Sequence, residues 1–317
     1  MVGIQDSTND SKVRVAFFPN IGHAVPIIGT ETEIFANGLG NNTSIEKKIF
    51  DSGPQAIESL FANSIDMAYV GPGPAVNGFI KSDTHNIVIL AGAASGGASF
   101  IVHPDSDIES FEDFAGKRIA APQIANTQDV SLRHYLDEHG FIPAEKGGSV
   151  YVLNLPNPEI YTLFTKGDID AAWVPEPWAT IFVNELGGKR FFFEEDLWPD
   201  KKFASVLLVA RADYVQNNPE IIQSWLDSHQ STVHWINSNQ EQTVRIFNDF
   251  MDDELGKSFP EPIVNEALSN LEITYDTNEN SIESFAQRAN SLGYLGRGGY
   301  SLDGIFYQHE ETKDGKA

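Results

Sequence analysis

An α/β fold of two similar lobes is the fold class that the sequence predicts, and three observations support it. The chain has 317 residues, a length typical of two domains. Short β-type runs alternate with amphipathic helical runs, as in a fold with a mainly parallel sheet. A segment in the first half also resembles a segment in the middle of the chain.

The first half is predicted as a regular alternation of strands and helices. Proline at an early helical position supports a helix that begins at Ser52-Gly53-Pro54. In chain order, the other predicted elements are a strand at Val13–Phe18, a helix at Ala24–Asn37, a strand at Ile45–Phe50 and a strand at Met67–Val70.

The internal resemblance is between Leu60–Pro74 and Leu163–Pro177, with one residue inserted in the second copy. Each copy combines a helix end, a tight turn with Ile-Asp, a short buried strand and a proline-rich loop that begins a new helix. The pattern predicts one supersecondary unit in each half. Chance similarity is the alternative, because Leu-Phe and Ile-Asp are common pairs.

The middle segment contains its own elements, and the chain becomes helix-rich after about residue 203. Asn126 is predicted to cap a helix that ends at Gly140, between strands at Ile119–Ala121 and Val150–Leu153. The predicted boundaries are 12–99 with 203–317 for lobe 1, and 100–202 for lobe 2.

The C-terminal helices are predicted to pack on lobe 1. One begins at Pro219, and others lie near 241–255, 261–271 and 281–292. The first of them carries an apolar face at helical spacing, formed by Ile222, Trp225, Leu226, His229, Val233 and Ile236.

Charge and composition exclude several classes of function. The net charge is −24, from 45 acidic and 21 basic residues, which argues against binding to nucleic acid or to an anionic membrane. Such a charge favours a soluble monomer. The absence of cysteine excludes disulfides, thiolate catalysis and Cys-ligated metals. The first ten residues, MVGIQDSTND, read as a polar tether without signal-peptide features, so we expect a mature or trimmed start; a cytosolic start fits equally well.

The candidate binding residues follow from the rule that ligands bind beyond the carboxyl ends of strands in open α/β sheets. The loops at 19–23, 71–74 and 175–178 are therefore predicted to line a cleft between the lobes. The predicted helix start at Asn126, Thr127, Gln128 and Asp129 is the best anion site, because its backbone N–H groups are free and its dipole end is positive. The alternative is an ordinary capped helix, since Asp129 competes with an anion.

Three further sets of residues each have a functional and a structural interpretation. Ser95, Gly96 and Gly97 suit a hinge that approaches the ligand, or a plain linker. Asn20 and His23 offer an amide and an imidazole, or ordinary turn chemistry. Glu176 and Trp178 offer a hydrogen-bond acceptor and a flat apolar wall, or a helix-start carboxylate and a core side chain.

Enzyme and metal signatures are missing from the sequence. It contains neither His-Glu-x-x-His nor Gly-x-Ser-x-Gly, and its histidines are scattered. The acidic clusters at 194–196 and 252–254 are consecutive, whereas calcium loops need alternating ligands. We therefore predict a binding protein that is not an enzyme and has no cofactor and no metal.

Together these motifs resemble those of the solute-binding proteins of nitrate, sulfonate, taurine and bicarbonate ABC importers, and most closely the aliphatic-sulfonate branch. The resemblance covers about residues 12–235. It rests on FFPNIGHAVPIIG from Phe17, GPQAIESLF from Gly53, IDMAYVGPGPAVNGF from Ile65, AGAASGGASFIV from Ala91, PQIANTQDVSLRHYL from Pro122, GDIDAAWVPEPWAT from Gly167 and the segment Asp196-Leu197-Trp198-Pro199.

The resemblance implies a type II periplasmic-binding-protein fold, with two α/β lobes, a ligand cleft and two crossing segments. It also implies an extracytoplasmic location with a lipid or membrane tether, and an ABC permease as partner. The implied ligand contacts are Asn20, His23, Gly71, Pro72, Gly73, Ser95, Gly96, Gly97, Asn126, Thr127, Gln128, Asp129, Glu176 and Trp178.

The ligand implied by the resemblance is a small sulfonate, but the cleft motifs contain no Lys or Arg. Glu176 would oppose a bare anion. One hypothesis is therefore a zwitterion such as taurine, with its sulfonate at residues 126–129 and its amine near Glu176. The alternatives are nitrate or bicarbonate, a cationic or pyrimidine ligand, and a pyrimidine-forming enzyme of thiamine biosynthesis on the same fold. Those enzymes use a Cys-rich segment that this chain lacks.

Overall fold

The computed structural model describes residues 11–82, 86–296 and 299–308. The predicted polar tether at residues 1–10 lies outside this part of the chain. Within it the strands are β1 (Ser11–Phe17), β2 (Thr43–Ile49), β3 (Met67–Val70), β4 (Ile87–Gly96), β5 (Ala98–Val102), β6 (Arg118–Ala121), β7 (Tyr151–Asn154), β8 (Ala171–Pro175), β9 (Lys189–Phe193), β10 (Ala204–Arg211) and β11 (Leu271–Ile273).

The helices lie between these strands and dominate after β10. They are α1 (Ala24–Glu31), α2 (Ile34–Leu39), α3 (Gly53–Phe61), α4 (Pro72–Lys81), α5 (Thr127–Glu138), α6 (Asn157–Thr165), α7 (Trp178–Asn184), α8 (Ala212–Asn217), α9 (Pro219–Ser238), α10 (Gln240–Leu255), α11 (Glu261–Ser269) and α12 (Glu279–Ser291). No described helix is both long enough and apolar enough to span a membrane.

The described strands form two sheets, with the orders β11-β4-β10-β3-β1-β2 and β7-β6-β8-β5-β9. We call the part of the chain that carries the first sheet and α9–α12 the first lobe, and the part that carries the second sheet the second lobe. In each lobe three strands are parallel: β1 with β2 and β3, and β6 with β7 and β8.

The prediction of a mainly parallel sheet is wrong for the remaining strands. In the first sheet β10 pairs antiparallel with β3 and β4, and β11 with β4; in the second, β5 pairs antiparallel with β8 and β9. The reason is the path between the lobes. The chain passes directly from β4 into β5 and later from β9 towards β10, so β5 and β10, which enter from the other lobe, run opposite to the parallel strands that they join.

The first passage between the sheets lies at Gly97, between the end of β4 and the start of β5, where the sequence predicts a crossing. Gly96 and Gly97 have φ values of +77° and +76°, a region that favours glycine. The return passage spans Glu194–Lys201 in two short 3₁₀ turns. Both passages support the predicted lobe boundaries, which we propose as the division of the chain.

The repeated segment is a real structural repeat, because the same side-chain arrangement holds both copies. In the first lobe the Asp66 carboxylate accepts hydrogen bonds from the backbone N–H and the Nε–H of Arg14, at 2.9 and 3.0 Å. In the second lobe Asp170 accepts from the same two groups of Arg118, at 2.8 and 3.4 Å. The paired residues stand 52 positions apart in both lobes.

The turn before each of these aspartates is also equivalent. Asn63 and Gly167 adopt left-handed φ values of +55° and +68°, the conformation that ends many helices and that Gly and Asn tolerate best. Their carbonyl oxygens accept hydrogen bonds from the guanidinium groups of Arg14 and Arg118. Each arginine therefore joins the end of a helix to the start of a strand.

One predicted helix is divided in the structure. The sequence predicts a single helix at Ala24–Asn37, whereas α1 ends at Glu31 and α2 begins at Ile34. Glu33, with φ +58°, turns the chain. The turn brings Phe35 back onto Gly29, where a Cβ atom would stand 2.2 Å from the ring, and stacks Phe35 on Trp225 at 4.1 Å.

The C-terminal helices contact the first lobe, and α11 also packs on the second lobe, where Ile263 joins the core cluster of α7. The expected apolar face of α9 is buried at Ile222, Trp225, His229, Val233 and Ile236, and Leu226 is partly buried. A polar group also lies within this core. The Nε2–H of His229 donates to the carbonyl of Gly92 at 2.7 Å, and its Nδ1 accepts from the Tyr69 hydroxyl at 2.9 Å.

The two Arg–Asp pairs differ in burial, so their removal has different costs. Asp66 is 2% exposed and also contacts Arg211, whereas Asp170 is 23% exposed. We expect Asp66→Ala to lower the free energy of unfolding by about 3 kcal/mol, because it removes the buried carboxylate that accepts hydrogen bonds from the backbone and side chain of Arg14 and from Arg211. Asp170→Ala should cost about 1 kcal/mol. Urea unfolding of both variants checks this, and equal costs would contradict it.

Burial makes the stability sensitive to acid. It lowers the pKa of His229 to about 4. The folded state therefore binds fewer protons than the unfolded state, and the stability present above about pH 6.5 is lost as the pH falls towards 4. Between pH 7 and pH 4, the free energy of unfolding should fall by about 3 kcal/mol less in His229→Gln than in the wild type. His234→Gln, at an exposed position of the same helix, is the control. An unchanged slope in His229→Gln would refute the expectation.

Candidate functional site

A cavity of about 530 Å³ lies between the two sheets, at the carboxyl ends of their parallel strands. The position is the one expected for a ligand site in an α/β fold. Its lining residues are Phe18, Pro19, Asn20, Gly22, His23, Phe50, Asp51, Ser52, Gly53, Gly71, Pro74, Gly96, Gly97, Pro122, Gln123, Asn126, Thr127, Gln128, Pro156, Asn157, Pro158, Pro175, Glu176, Trp178, Ser205, Val206, Leu255 and Leu271.

The repeat explains why these residues meet. In each lobe, the loops after the three parallel strands reach the cavity. The first lobe contributes loops after β1, β2 and β3, and the second lobe contributes the equivalent loops after β6, β7 and β8. The cavity is therefore walled by three pairs of corresponding loops.

Ten of the fourteen residues predicted to contact a ligand line the cavity: Asn20, His23, Gly71, Gly96, Gly97, Asn126, Thr127, Gln128, Glu176 and Trp178. Pro72, Gly73, Ser95 and Asp129 do not line it. Pro72 is buried in the first turn of α4, and Ser95 is buried within β4, where it pairs with β10 and β11. Gly73 and Asp129 have other contacts, described below.

The start of α5 offers free hydrogen-bond donors to the cavity. The Asn126 side chain accepts from the N–H of Asp129 at 3.0 Å, as predicted for a cap. The N–H groups of Thr127 and Gln128 belong to the first turn, where a helix provides no acceptor for them. Together with the positive end of the helix dipole, they favour an anionic group at this point.

The Asp129 carboxylate does not compete for that position, although the sequence leaves this alternative open. It is fully buried and satisfied by the protein. Its charge is paired with Arg133 at 2.7 Å. Its other hydrogen-bond donors are the N–H of Ala125 at 2.8 Å, the amide of Asn154 at 2.8 Å and the hydroxyl of Tyr294 at 2.7 Å.

Gly71 and Gly73 at the start of α4 bring the two lobes into contact. A Cβ atom on Gly73 would stand 3.1–3.2 Å from the carbonyl oxygen of Ala125 and from backbone atoms of Asn126 and Thr127. A Cβ atom on Gly71 would stand 2.9 Å from the Thr127 hydroxyl. A Cβ atom at either position would need the facing atoms of the second lobe to move by a few tenths of an ångström, so glycine suits this close approach.

His23 is a neutral hydrogen-bonding group of the cavity. Burial lowers the pKa of His23 to about 3. Its Nδ1 accepts from the N–H of Phe18 at 3.4 Å, which leaves the proton on Nε2. Nε2 has no hydrogen-bond partner within the described residues, so it is available as a donor.

Glu176 lies at the junction of both lobes and the crossing segment. Its Oε1 accepts a hydrogen bond at 2.7 Å from the side chain of Asn270, a residue that directly precedes β11 of the first lobe. Its Oε2 accepts from the N–H of Thr180 at 2.9 Å. Burial raises the pKa of Glu176, and these two hydrogen bonds and the charge of Arg190 oppose the rise.

Arg190 on β9 is a functional neighbour that the cleft motifs do not contain. Its Nη1 lies 3.4 Å from Oε1 of Glu176 and 2.6 Å from the hydroxyl of Ser99. Its guanidinium also packs on the Phe193 ring, 4.2 Å from the centroid. No motif could have identified it, because the residue reaches the site only through the pairing of β9 with β5.

Five polar residues of the cavity are missing from the sequence prediction: Asp51, Ser52, Gln123, Asn157 and Ser205. The side-chain oxygens of Asn157 and Ser205 are buried without a hydrogen-bond partner among the described residues. A signal for two of them exists in the sequence. Ser52-Gly53-Pro54 and Pro156-Asn157-Pro158 occupy equivalent places after β2 and β7, so extending the repeat would have located both loops.

The side chains that line the cavity include acidic groups and no positively charged ones among the described residues. Among the described residues, its lining contains the carboxylates of Asp51 and Glu176 but no Lys or Arg. Phe18, Phe50 and Trp178 add apolar surface. The cavity therefore combines a helix start that favours an anion with two carboxylates. Asp51 is exposed, whereas Glu176 is 1% exposed and already has Arg190 beside it.

Comparison with known proteins gives matches to one family and one fold. Residues 6–247 match the NMT1-like family. A putative binding protein of Brucella abortus (strain 2308) is 27% identical over 280 residues, which are 86% of this chain and 82% of that protein. The taurine-binding periplasmic protein of Escherichia coli (strain K12) is 26% identical over 188 residues, 59% of this chain and 56% of that protein.

A solved structure extends the comparison to the fold. The alkanesulfonate-binding protein of Xanthomonas axonopodis pv. citri, bound to MOPS, has a TM-score of 0.75 at 15% identity, and the alignment covers 90% of this chain and 95% of that one. At this identity the likeness shows the fold alone. It confirms the predicted fold class, that of periplasmic binding proteins.

The contact at Gly73 leads to a prediction about the separation of the lobes. Ala normally stabilises a helix relative to Gly. In Gly73→Ala, however, the added methyl group meets backbone of the second lobe, at a cost of roughly 1–3 kcal/mol. Separation of the lobes removes this contact without unfolding either lobe. We therefore expect a larger radius of gyration in small-angle X-ray scattering and an undiminished melting temperature. A radius of gyration equal to that of the wild type would contradict this interpretation.

Proposed function

The chain belongs to the NMT1-like family, and on that premise we propose that it is the substrate-binding component of an ABC importer, acting as a monomer outside the cytoplasm. The names of its relatives support this function, and they are names of binding proteins, in keeping with the prediction of a non-catalytic role. In this proposal a ligand that touches both lobes stabilises their closed arrangement. The closed form then docks on the permease.

We further propose that the ligand is a small organic sulfonate and that a zwitterion such as taurine is preferred to a plain alkanesulfonate. One observation carries this proposal: the cavity joins the free N–H groups of Thr127 and Gln128 to the carboxylate of Glu176 without any lining Lys or Arg among the described residues. The sulfonate oxygens would accept from the helix start and from Nε2–H of His23. The amine would donate to Oε1 of Glu176 in place of Arg190, whose Nη1 lies 3.4 Å from that oxygen.

The same cavity argues against nitrate or bicarbonate as the main ligand. A volume of about 530 Å³ is in the range of cavities that hold organic molecules, and it is far larger than a four-atom anion requires. The apolar surfaces of Phe18, Phe50 and Trp178 would contact the carbon part of an organic solute.

A cationic or pyrimidine ligand is the second candidate. The observation that favours it is the presence of two carboxylates, Asp51 and Glu176, in a cavity that also contains the flat face of Trp178. Such a ligand would pair with the carboxylates and stack on the indole ring.

Titration calorimetry with taurine, ethanesulfonate, MOPS and nitrate tests the proposal. We expect taurine to bind about tenfold more tightly than ethanesulfonate, the effect of one charge-assisted hydrogen bond. In Glu176→Gln the affinity for taurine should fall about tenfold, while that for ethanesulfonate should rise because an opposing charge is removed. Taurine affinity that is unchanged in this variant would rule out the amine contact.

The matched control is Glu185→Gln, which removes one carboxylate at the exposed C-terminal end of α7. Because this residue does not line the cavity, both affinities should remain those of the wild type. If none of the sulfonates binds to the wild type, the sulfonate proposal is wrong. Native mass spectrometry of the purified protein would then test for a copurified cation or pyrimidine.

A further inference from the structure

Tyr294 connects the two lobes at a place away from the cavity. It follows α12, whose residues Ile282, Phe285 and Ala289 pack in the same core cluster as α4 of the first lobe. Its hydroxyl donates to Oδ2 of Asp129 at 2.7 Å, on α5 of the second lobe. Val130 of α5 joins the same cluster, so the hydrogen bond is one of the contacts that hold the two lobes together in this arrangement.

The oxygen that accepts this hydrogen bond also holds a loop of the cavity. Oδ2 of Asp129 accepts from the N–H of Ala125 at 2.8 Å. Ala125 has a φ of +62°, a conformation that costs energy for a residue with a Cβ atom and therefore depends on such support. The loop that it fixes, residues 122–128, supplies five residues of the cavity wall: Pro122, Gln123, Asn126, Thr127 and Gln128.

The other partners of Asp129 do not make Tyr294 redundant. Arg133 and Asn154 both bind Oδ1, so they neutralise the carboxylate without contacting the oxygen that holds the loop. Burial and the hydrogen bond to Asp129 raise the pKa of Tyr294, so the phenol remains a protonated donor at neutral pH.

We propose that Tyr294 is a positioning residue for the cavity, which fixes the Pro122–Gln128 loop through Asp129 when the lobes come together. This role rests on the proposed binding function, because it couples the ordering of the loop to closure of the lobes around a ligand. In the open arrangement the loop would lose its contact with Gly73 at the same time as Asp129 loses the hydrogen bond from Tyr294. On closure it would regain both, and the free N–H groups of Thr127 and Gln128 would be fixed for the ligand.

The variant Tyr294→Phe tests this proposal, because it removes the hydroxyl and keeps the ring. Hydrogen exchange is measured with and without taurine. In whichever condition protects the amides of residues 122–129 in the wild type, they should exchange about tenfold faster in the variant, and core amides of both sheets should be unchanged. Tyr300→Phe is the control, since the Tyr300 hydroxyl makes no hydrogen bond within the described residues. Unchanged exchange at 122–129, or a uniform increase throughout the protein, would overturn the proposal.

A second measurement links the loop to the ligand. With taurine as the probe, stopped-flow dissociation from Tyr294→Phe should be about tenfold faster than from the wild type, and the control should behave as the wild type. Equal dissociation rates would overturn the role in ligand binding. If the wild type does not bind taurine, the sulfonate proposal fails, but the exchange measurement still decides the role of Tyr294.

Discussion

The pairing of one arginine with one aspartate, repeated in each lobe, is the constraint on which the rest of the structure depends. Arg14 with Asp66, and Arg118 with Asp170, fix the register of the two central parallel strands in each sheet. A slip of one residue would turn the buried face of each strand outwards. The register also decides where these strands end, and their ends carry the loops that form the cavity. The two contacts thus link the register of the strands to the position of the cavity loops.

The acidic charge of the chain is compatible with a site that favours an anion, because the charges near the cavity are balanced locally. Arg133 pairs with Asp129, and Arg190 lies beside Glu176. At physiological salt, charges on the outer surface are screened beyond about 8 Å. The cavity is therefore governed by the dipoles and carboxylates that line it and much less by the net charge of −24.

The sequence predicts the two lobes, the crossing at Gly97 and most of the cavity loops, because these depend on local patterns that repeat along the chain. Asn126 is an example: its cap, its helix and its position after a strand are all visible within a few residues. Arg190, Asn270 and Tyr294 could not be found in this way. Arg190 and Asn270 reach Glu176, and Tyr294 reaches Asp129, from distant segments through strand pairing or helix packing, and no local sequence pattern predicts such a contact. The division of the predicted helix at Glu33 has the same origin, since it depends on the fit of Phe35 between Gly29 and Trp225.

The repeat is close in the backbone and incomplete in the side chains. Glu176 and Trp178 stand where the first lobe has Pro72 and Pro74, and the two halves of the cavity therefore differ in charge and in aromatic surface. A cavity with full twofold symmetry would accept an unsymmetrical molecule in two orientations of equal energy. Here the two ends of the cavity differ, so a solute with two unlike ends has a single preferred orientation.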